Sequence, residues 1–376
     1  MTKRGRSLKE AKAEKAAKKR RAKRRRRAIF LIVEILILAA LLAVGYVMVK
    51  YGKIQLNMFS DGDILFNEGV KQEGYTTVAL FGGDSREGQL EEGTHADTII
   101  VAAINNKTKE VKLVSVYRDL MMQQMNGNMK KANNAYFIGG PQEAINMLNR
   151  NLDLDIEHYV TVDFKALADT IDLLGGIEIE LSQEEADAMN EYIGETAMVA
   201  EKEAVFVSEG IQTLDGVQAV TYARIRKNVG GDYVRTERQR LVIQKVVEKV
   251  KQTNLSTINS IIDQVFPQVS TSFFLTELIK LAAGVMQYEL GDTSGFPFEL
   301  TDGNVEGMGS VVIPLGFVEN VEELHQFLYP EDAYTVSQTV QEIAFEIEEL
   351  SGYTRADYEE LEDNDAAEEE PEKQVE

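Results

Sequence analysis

Residues 97–119, DTIIVAAINNKTKEVKLVSVYRD, read as two short strands around a polar turn, and that reading decides the fold. DTIIVAAIN and EVKLVSVY are rich in β-branched residues, and NKTK between them is the turn. Just upstream, TTVALFGG (76–83) is a third strand that ends in glycines. Downstream, PQEAINMLNRNL (141–152) carries Ile145, Leu148 and Leu152 at helical spacing behind a starting proline, and YVTVDF (159–164) returns as a strand. KALADTIDLLGG (165–176) is a helix stopped by glycines, followed by the strand IEIEL (177–181). Such alternation predicts an α/β domain, a mixed central β-sheet covered by helices. Past residue 250, LSTINSIIDQVF, LTELIKLAAGVM and VEELHQFLY read as amphipathic helices, and GSVVIPL (309–315) as a strand that completes the same sheet.

Charge divides the chain. Its formal net charge is -22, yet residues 1–27 hold fifteen Lys and Arg against Glu10 and Glu14. Positions 28–376 therefore carry 25 basic against 60 acidic residues. A basic tail alone would suit nucleic acid, but residues 28–49, AIFLIVEILILAALLAVGYVMV, follow it and are apolar apart from Glu34. A helix of that length crosses a hydrocarbon core of roughly 30 Å. The basic cluster before it fixes the N-terminus in the cytoplasm and sends the rest outside. The expected organisation is a basic cytoplasmic segment (1–27), a transmembrane signal-anchor helix (28–50), a juxtamembrane linker (51–74), an extracellular catalytic domain (75–350) and an acidic disordered tail (351–376). Nucleic acid is not an expected partner, and the chain has no cysteine.

Against this acidic background, YARIRKNVGGDYVRTERQR (222–240) concentrates Arg224, Arg226, Arg235, Arg238 and Arg240. From residue 234 the periodicity is helical, and positions 235, 239, 242, 246 and 250 form one stripe: Arg235, Gln239, Val242, Val246, Val250. Two polar residues where the stripe is otherwise apolar imply a cavity, because an unpaired guanidinium in a core is costly. Something anionic should meet them, with Arg238 at a neighbouring angle. Arg224 and Arg226 share a side if their segment is extended, and NVGGD is the turn that brings Arg235 back beside them. Asp84 and Arg86 follow the first strand, Asp97 heads the second, and Arg118 with Asp119 leaves the third. Lys131, in KKANNAYFIGG, is a further anion contact. Strand ends are where loops build sites, and two such carboxylates can hold a hard cation that shares oxygens with phosphate. Three histidines, His95, His158 and His325, lack metal-ligand spacing, and GDS lacks the nucleophile-elbow pattern. Phosphate chemistry without a covalent intermediate is what remains.

The ordered segments GGDSR, HADT, SVYRD, KANNAYFIGG, VDFKALADTIDLLGGIEIE, LDGVQAVTYARIR and DYVRTERQR, over residues 75–250, resemble the LytR-CpsA-Psr family of cell-wall assembly proteins. The resemblance implies a phosphotransferase that moves an anionic glycopolymer, of the teichoic acid or capsule type, from a polyprenyl-diphosphate carrier to peptidoglycan outside the membrane. It puts Asp84 and Asp97 at a Mg²⁺ (or Mn²⁺) site, and Arg118, Arg224, Arg226 and Arg235 on the diphosphate with Gln239 beside them. Arg86, Lys131 and Asp232 match supporting positions, and the prenyl chain would lie in an apolar tunnel between sheet and helices. The chain departs from the family at His95, where an arginine is usual, and at Tyr117, where a proline is common. A lipid-diphosphate hydrolase and a non-catalytic regulator of envelope assembly are the alternative readings.

Overall fold

The computed structural model describes residues 41–357, apart from 43, 84–89, 91–92, 228 and 285. Most of the expected membrane span, with Asp84, Arg86 and the tail from residue 358, lies outside the described residues. No helix among the described residues is long and apolar enough to cross a membrane. The chain divides between Lys53 and Ile54 into two compact units. In the first, residues 44–51 are helical, and Val44, Tyr46, Met48 and Val49 are exposed.

The second unit is built on a seven-stranded mixed sheet. Its strands are β1 (Gln55–Leu56), β2 (Tyr75–Gly83), β3 (Ala96–Asn105), β4 (Glu110–Val116), β7 (His158–Asp163), β10 (Val269–Thr271) and β11 (Glu289–Phe296), in the order β1-β10-β7-β2-β3-β4-β11. β2, β3 and β4 form an antiparallel meander, with β7 parallel to β2 and β11 parallel to β4. Three hairpins stand apart: β5 (Met121–Gln123) with β6 (Met129–Lys131), β8 (Ile177–Leu181) with β9 (Gly210–Leu214), and β12 (Leu300–Val305) with β13 (Gly309–Pro314). GSVVIPL thus forms β13 but does not complete the main sheet. It pairs with β12, and β11 takes the edge instead. The expected linker 51–74 likewise contributes β1 to the sheet.

The helices are α1 (Asn133–Leu152), α2 (Phe164–Leu173), α3 (Gln183–Ala200), α4 (Gly216–Tyr222), α5 (Gly231–Gln252), α6 (Leu255–Val265), α7 (Leu275–Gly284), α8 (Phe317–Leu328) and α9 (Gln338–Ser351). Both faces of the central strands are apolar because both are covered. Ala79, Phe81, Ile99, Val101 and Val114 join the main core with Ile145, Leu148 and Leu152 of α1 and residues of α8 and α9. The alternate residues Leu80, Ile100, Ala102 and Leu113 face the other way, toward Ile243 of α5. α1 is kinked at Gly139 and Gly140, so Pro141 opens its second half, as its fixed φ favours.

Register brings five strand ends together. Gly83 is paired with Ala96 and with Asp163, and Val116 with Phe296. Asp97 sits near the start of β3, the loop after β4 carries Arg118 and Asp119, and α2 starts there with Phe164.

Three glycines shape this edge. Gly216 opens α4 so close to α2 that a Cβ would overlap the backbone of Ala168. Backbone cannot yield as a flexible side chain can, so Gly216→Ala should destabilise the fold by about 1–3 kcal/mol, read as a lowered urea midpoint. Gly230 and Gly231 both have positive φ, +89° and +69°, at the start of α5. That left-handed pair turns the chain sharply enough to set Asp232 and Arg235 opposite Arg226.

Candidate active site

Asp232, in the first turn of α5, gathers three guanidinium groups. Its Oδ2 accepts from Arg235 Nη2 at 3.0 Å, and its Oδ1 lies 3.5 Å from Arg226 Nη1 and 3.7 Å from Arg118 Nε. Asp97, near the start of β3, completes the link: its Oδ1 accepts from Arg118 Nη1 at 2.6 Å and its backbone oxygen from Arg235 Nη2 at 3.2 Å. Asp119 Oδ2 lies 3.5 Å from Arg118 Nε, and its Oδ1 is 3.0 Å from Lys131 Nζ. The sequence candidates Asp97, Arg118, Lys131, Arg226, Asp232 and Arg235 thus form one connected network.

Arg224 reaches the same cavity from the segment after α4. Its guanidinium lies 4.6 Å from the centre of the Phe164 ring, donates to Thr196 Oγ1 at 3.1 Å and meets Glu195 at 3.3 Å. The cavity has a volume of about 580 Å³ and is lined by Asp97, Asp119, Arg224, Arg226, Arg235 and Gln239, among others. Gln239 donates to Ala223 O at 3.4 Å, a long bond, and its Oε1 is buried without a hydrogen bond. Arg118 Nε and Arg235 Nε are also buried and make no hydrogen bond. Such orphaned polar atoms are uncommon in a finished core and fit a site that completes its bonding with a ligand.

Arg238 departs from the sequence expectation. It does not line the cavity; it is packed between α3, α4 and α5, where Nε meets Glu185 at 2.9 Å and Nη2 donates to Val229 O at 2.9 Å. Nη1 reaches Ile225 O, and the Tyr222 ring lies beneath it. Its group is fully engaged in holding the loop that carries Arg224 and Arg226. Asp84 and Arg86 lie outside the described residues, so the site is described without them.

The charge environment is uneven. Burial opposes the positive charge on Arg118, but Asp97, Asp232 and Asp119 outweigh it and raise its pKa. Burial wins at Arg235, which is only 4% exposed: its pKa falls to about 10, with Asp232 resisting and Arg118 and Arg226 adding to the drop. The network sets four cations, Arg118, Lys131, Arg226 and Arg235, against three carboxylates, Asp97, Asp119 and Asp232, and leaves positive charge that an anion would satisfy. The start of α5 adds its N–H groups to the same region.

Two further cavities lie along the same elements. One turn beyond Gln239, Ile243, Val246, Val247 and Val250 of α5 face Val78, Leu80, Ala102 and Leu113 of the sheet across an almost wholly apolar cavity of about 350 Å³. On the other side, a cavity of about 550 Å³ shares Asp97 and Asp119 with the arginine cavity and includes Arg118, Lys131 and His95. Sequence reading missed Phe164, Tyr192, Glu195 and Thr196. Only Phe164 had a signal, its place at the exit of β7.

The sequence model of the LytR_cpsA_psr family matches residues 50–307. A relative from Enterococcus faecalis, polyisoprenyl-teichoic acid–peptidoglycan teichoic acid transferase TagU, is 31% identical over 210 residues, covering 55% of this chain and 64% of that one. The chain therefore spans less than two-thirds of that relative's length. A protein of Streptococcus agalactiae shares the fold with a TM-score of 0.59, at 22% identity over 73% of this chain and 94% of the other. TagT of Bacillus subtilis, solved with bound octaprenyl pyrophosphate lipid, shares it with a TM-score of 0.51, at 19% identity over 72% of this chain and 99% of the other.

Proposed function

Because the chain belongs to the LytR-CpsA-Psr family, we propose that it is a phosphotransferase that moves an anionic glycopolymer from a polyprenyl-diphosphate carrier to peptidoglycan. The observation that carries this reading is that one helix lines an arginine cavity and, a turn further on, a separate apolar cavity. Arg235 and Gln239 serve the first, and Ile243, Val246 and Val250 line the second. A prenyl diphosphate has that same division, a dianionic head on a long apolar chain. Relatives named for this transfer and a neighbour solved with octaprenyl pyrophosphate lipid support it.

In this reading Arg118, Arg224, Arg226 and Arg235 bind the diphosphate oxygens and Asp232 holds three of them in place. A sugar hydroxyl of the acceptor attacks the phosphorus that carries the glycopolymer, and the lipid monophosphate leaves. Developing charge on the transferred group and the leaving oxygen falls on guanidinium groups already fixed by Asp97 and Asp232, so little reorganisation is needed. Asp97 and Asp119 offer the hard oxygen donors that Mg²⁺ or Mn²⁺ takes, and one or two carboxylates plus phosphate oxygens suit such an ion. Asp97 would hold such an ion, with Asp84 the partner that the family resemblance supplies. A bound ion would neutralise the diphosphate and polarise its phosphoryl oxygens. The segment 28–50 anchors the enzyme in the membrane with the catalytic unit outside.

The deciding experiment incubates the full chain in lipid nanodiscs with a prenyl-diphosphate-linked glycopolymer and peptidoglycan, with Mg²⁺ and after chelation. Covalent polymer–peptidoglycan product that depends on the metal supports the reading. Free polymer phosphate formed equally well without peptidoglycan would make the protein a hydrolase.

Titration gives a further expectation. The guanidinium of Arg235 loses its proton about 10 when the cavity is free. Prenyl-diphosphate affinity, measured by calorimetry, should be level through neutral pH and weaken as the pH rises through about 10. Stability moves oppositely: because the folded pKa of this cation lies below its ordinary value, charging it costs stability below about pH 10, and the cost fades above it.

A further inference from the structure

The apolar cavity extends to the end of the sheet that lies away from the arginines. Ile104, Val111 and Leu290 stand there, where β3 ends and β4 and β11 begin, and Phe273, Leu281 and Tyr288 line it beside them. What surrounds this end differs from the rest of the surface. α7, LTELIKLAAG, is apolar on almost every side, and such a helix belongs in a core or a membrane. None of its described residues is buried. Leu281 lines the cavity and Glu277 meets His158 at 3.3 Å, so that side faces the sheet. Helical angles then set Ile279 directly opposite, with Ala282 next to it, and Ile279 is 49% exposed. Phe274 just before the helix and Met286 just after it are exposed as well, and Leu255, which follows the cavity-lining Lys251, is 86% exposed. Large apolar groups exposed together, rather than scattered singly, mark a surface that meets something apolar.

The rim of this end is basic, although positions 28–376 hold more than two acidic residues for every basic one. Lys249 and Lys251 lie in the last turn of α5, Lys280 on α7, and Lys107 and Lys109 in the turn between β3 and β4. Against them stand Glu110 and Glu289, which face each other across β4 and β11. The other nearby carboxylates are engaged, Glu277 with His158 and Glu248 with Lys245 at 3.6 Å. Apolar side chains inside a ring of lysines match the layering of an anionic bilayer, acyl chains beneath a sheet of headgroup phosphates. Lysine stems lie along the apolar layer while their ammonium groups stay at the phosphates. A second copy docked by the same patch would set this basic rim against itself.

Resting on the transferase reading above, in which a prenyl chain fills the apolar cavity, we propose that this end of the catalytic unit docks on an anionic bilayer with α7 lying in its surface. Phe274, Ile279 and Met286 enter the acyl layer, and the lysines meet lipid phosphates. The prenyl chain then passes from the bilayer into the cavity beside Leu281 without crossing water. The catalytic unit thus grips the membrane itself, in addition to the anchor at 28–50.

The chain has no cysteine, so single introduced cysteines can carry a fluorescent label. Phe274→Cys, Ile279→Cys and, as a control, Ile138→Cys are labelled in the full chain and placed in nanodiscs. Ile138 is exposed at the arginine end, where the neighbouring Phe137 O accepts from Gly93 N. With phosphatidylglycerol present, brominated acyl chains should quench the labels at 274 and 279 about threefold more than the label at 138, and phosphatidylcholine alone should shrink that difference. Ile279→Ser combined with Lys280→Glu should raise KM for a long membrane-held carrier about tenfold. It should leave kcat, the unfolding midpoint and calorimetric binding of farnesyl diphosphate within twofold. Equal quenching at all three positions, quenching that ignores lipid charge, or a KM unmoved by the double variant overturns the proposal. Labels shielded from aqueous iodide only when two copies share a nanodisc would assign the face to self-association, and the proposal also falls. In each case farnesyl diphosphate binding by the unaltered chain keeps the transferase reading intact, whereas its absence sinks that reading and leaves the quenching result to stand by itself.

Discussion

Arg235→Ala is expected to lower kcat/KM for glycopolymer transfer by about 10³-fold, the scale of losing one preorganised donor to the transferred group. Arg235 donates to Asp232 and to the backbone oxygen of Asp97, so it ties α5 to the sheet edge. Its removal leaves Asp232 with Arg118 and Arg226 nearby, and it relieves the burial of a charge whose pKa has already fallen to about 10. The variant should therefore fold, with an unfolding midpoint close to that of the unaltered chain. Arg235→Lys should recover little, because an ammonium cannot bridge two oxygens as the planar fork does. A rate within a few-fold of normal for Arg235→Ala, in a folded protein, would remove this residue from the chemistry.

Arg238→Ala should do the reverse. Only three positions further along the helix, Arg238 bonds Glu185 of α3 and the carbonyls of Ile225 and Val229, and it is 5% exposed. Truncation strands Glu185 and two buried carbonyls, a loss of about 3 kcal/mol or more. Chemical denaturation should show that loss as a lower midpoint, while the turnover of the remaining folded protein, extrapolated to low temperature, stays within a few-fold. The pair of variants separates a guanidinium that meets substrate from one that holds the loop in shape.

Arg238 also marks where the sequence stops being legible. Helical angles place 235 and 239 on the stripe that Val242 continues, and the structure keeps all three buried on that side. The same angles leave 238 between cavity and solvent, and what settles it is Glu185, a residue fifty-three positions earlier on a different helix. No local pattern encodes that meeting. The meander β2–β3–β4 was readable because alternating residues on both faces are apolar. The edge strand β11 was not: ELGDTSGF has two glycines and a register shift between Leu290 and Thr293, so it carries no alternation. With β11 unseen, GSVVIPL looked like the missing edge, although its partner is β12. The carboxylates at strand ends were readable from position, whereas Glu195 and Thr196 reach the cavity from the far end of an unremarkable helix.

In the proposed transfer reading, one rigid rod carries both the phosphate ligands and the wall of the lipid bed. From Gln239 to Val250 the helix rises about 16 Å, so the distance from the scissile bond to the end of the greasy trough is set by helical pitch and not by the carrier. Under the transfer reading, only the first few isoprene units are gripped and the remainder stays dissolved in the bilayer. Such a gauge makes the enzyme indifferent to total carrier length once the trough is filled, so short synthetic carriers should turn over as fast as native ones, and trimming below that length should cost rate steeply.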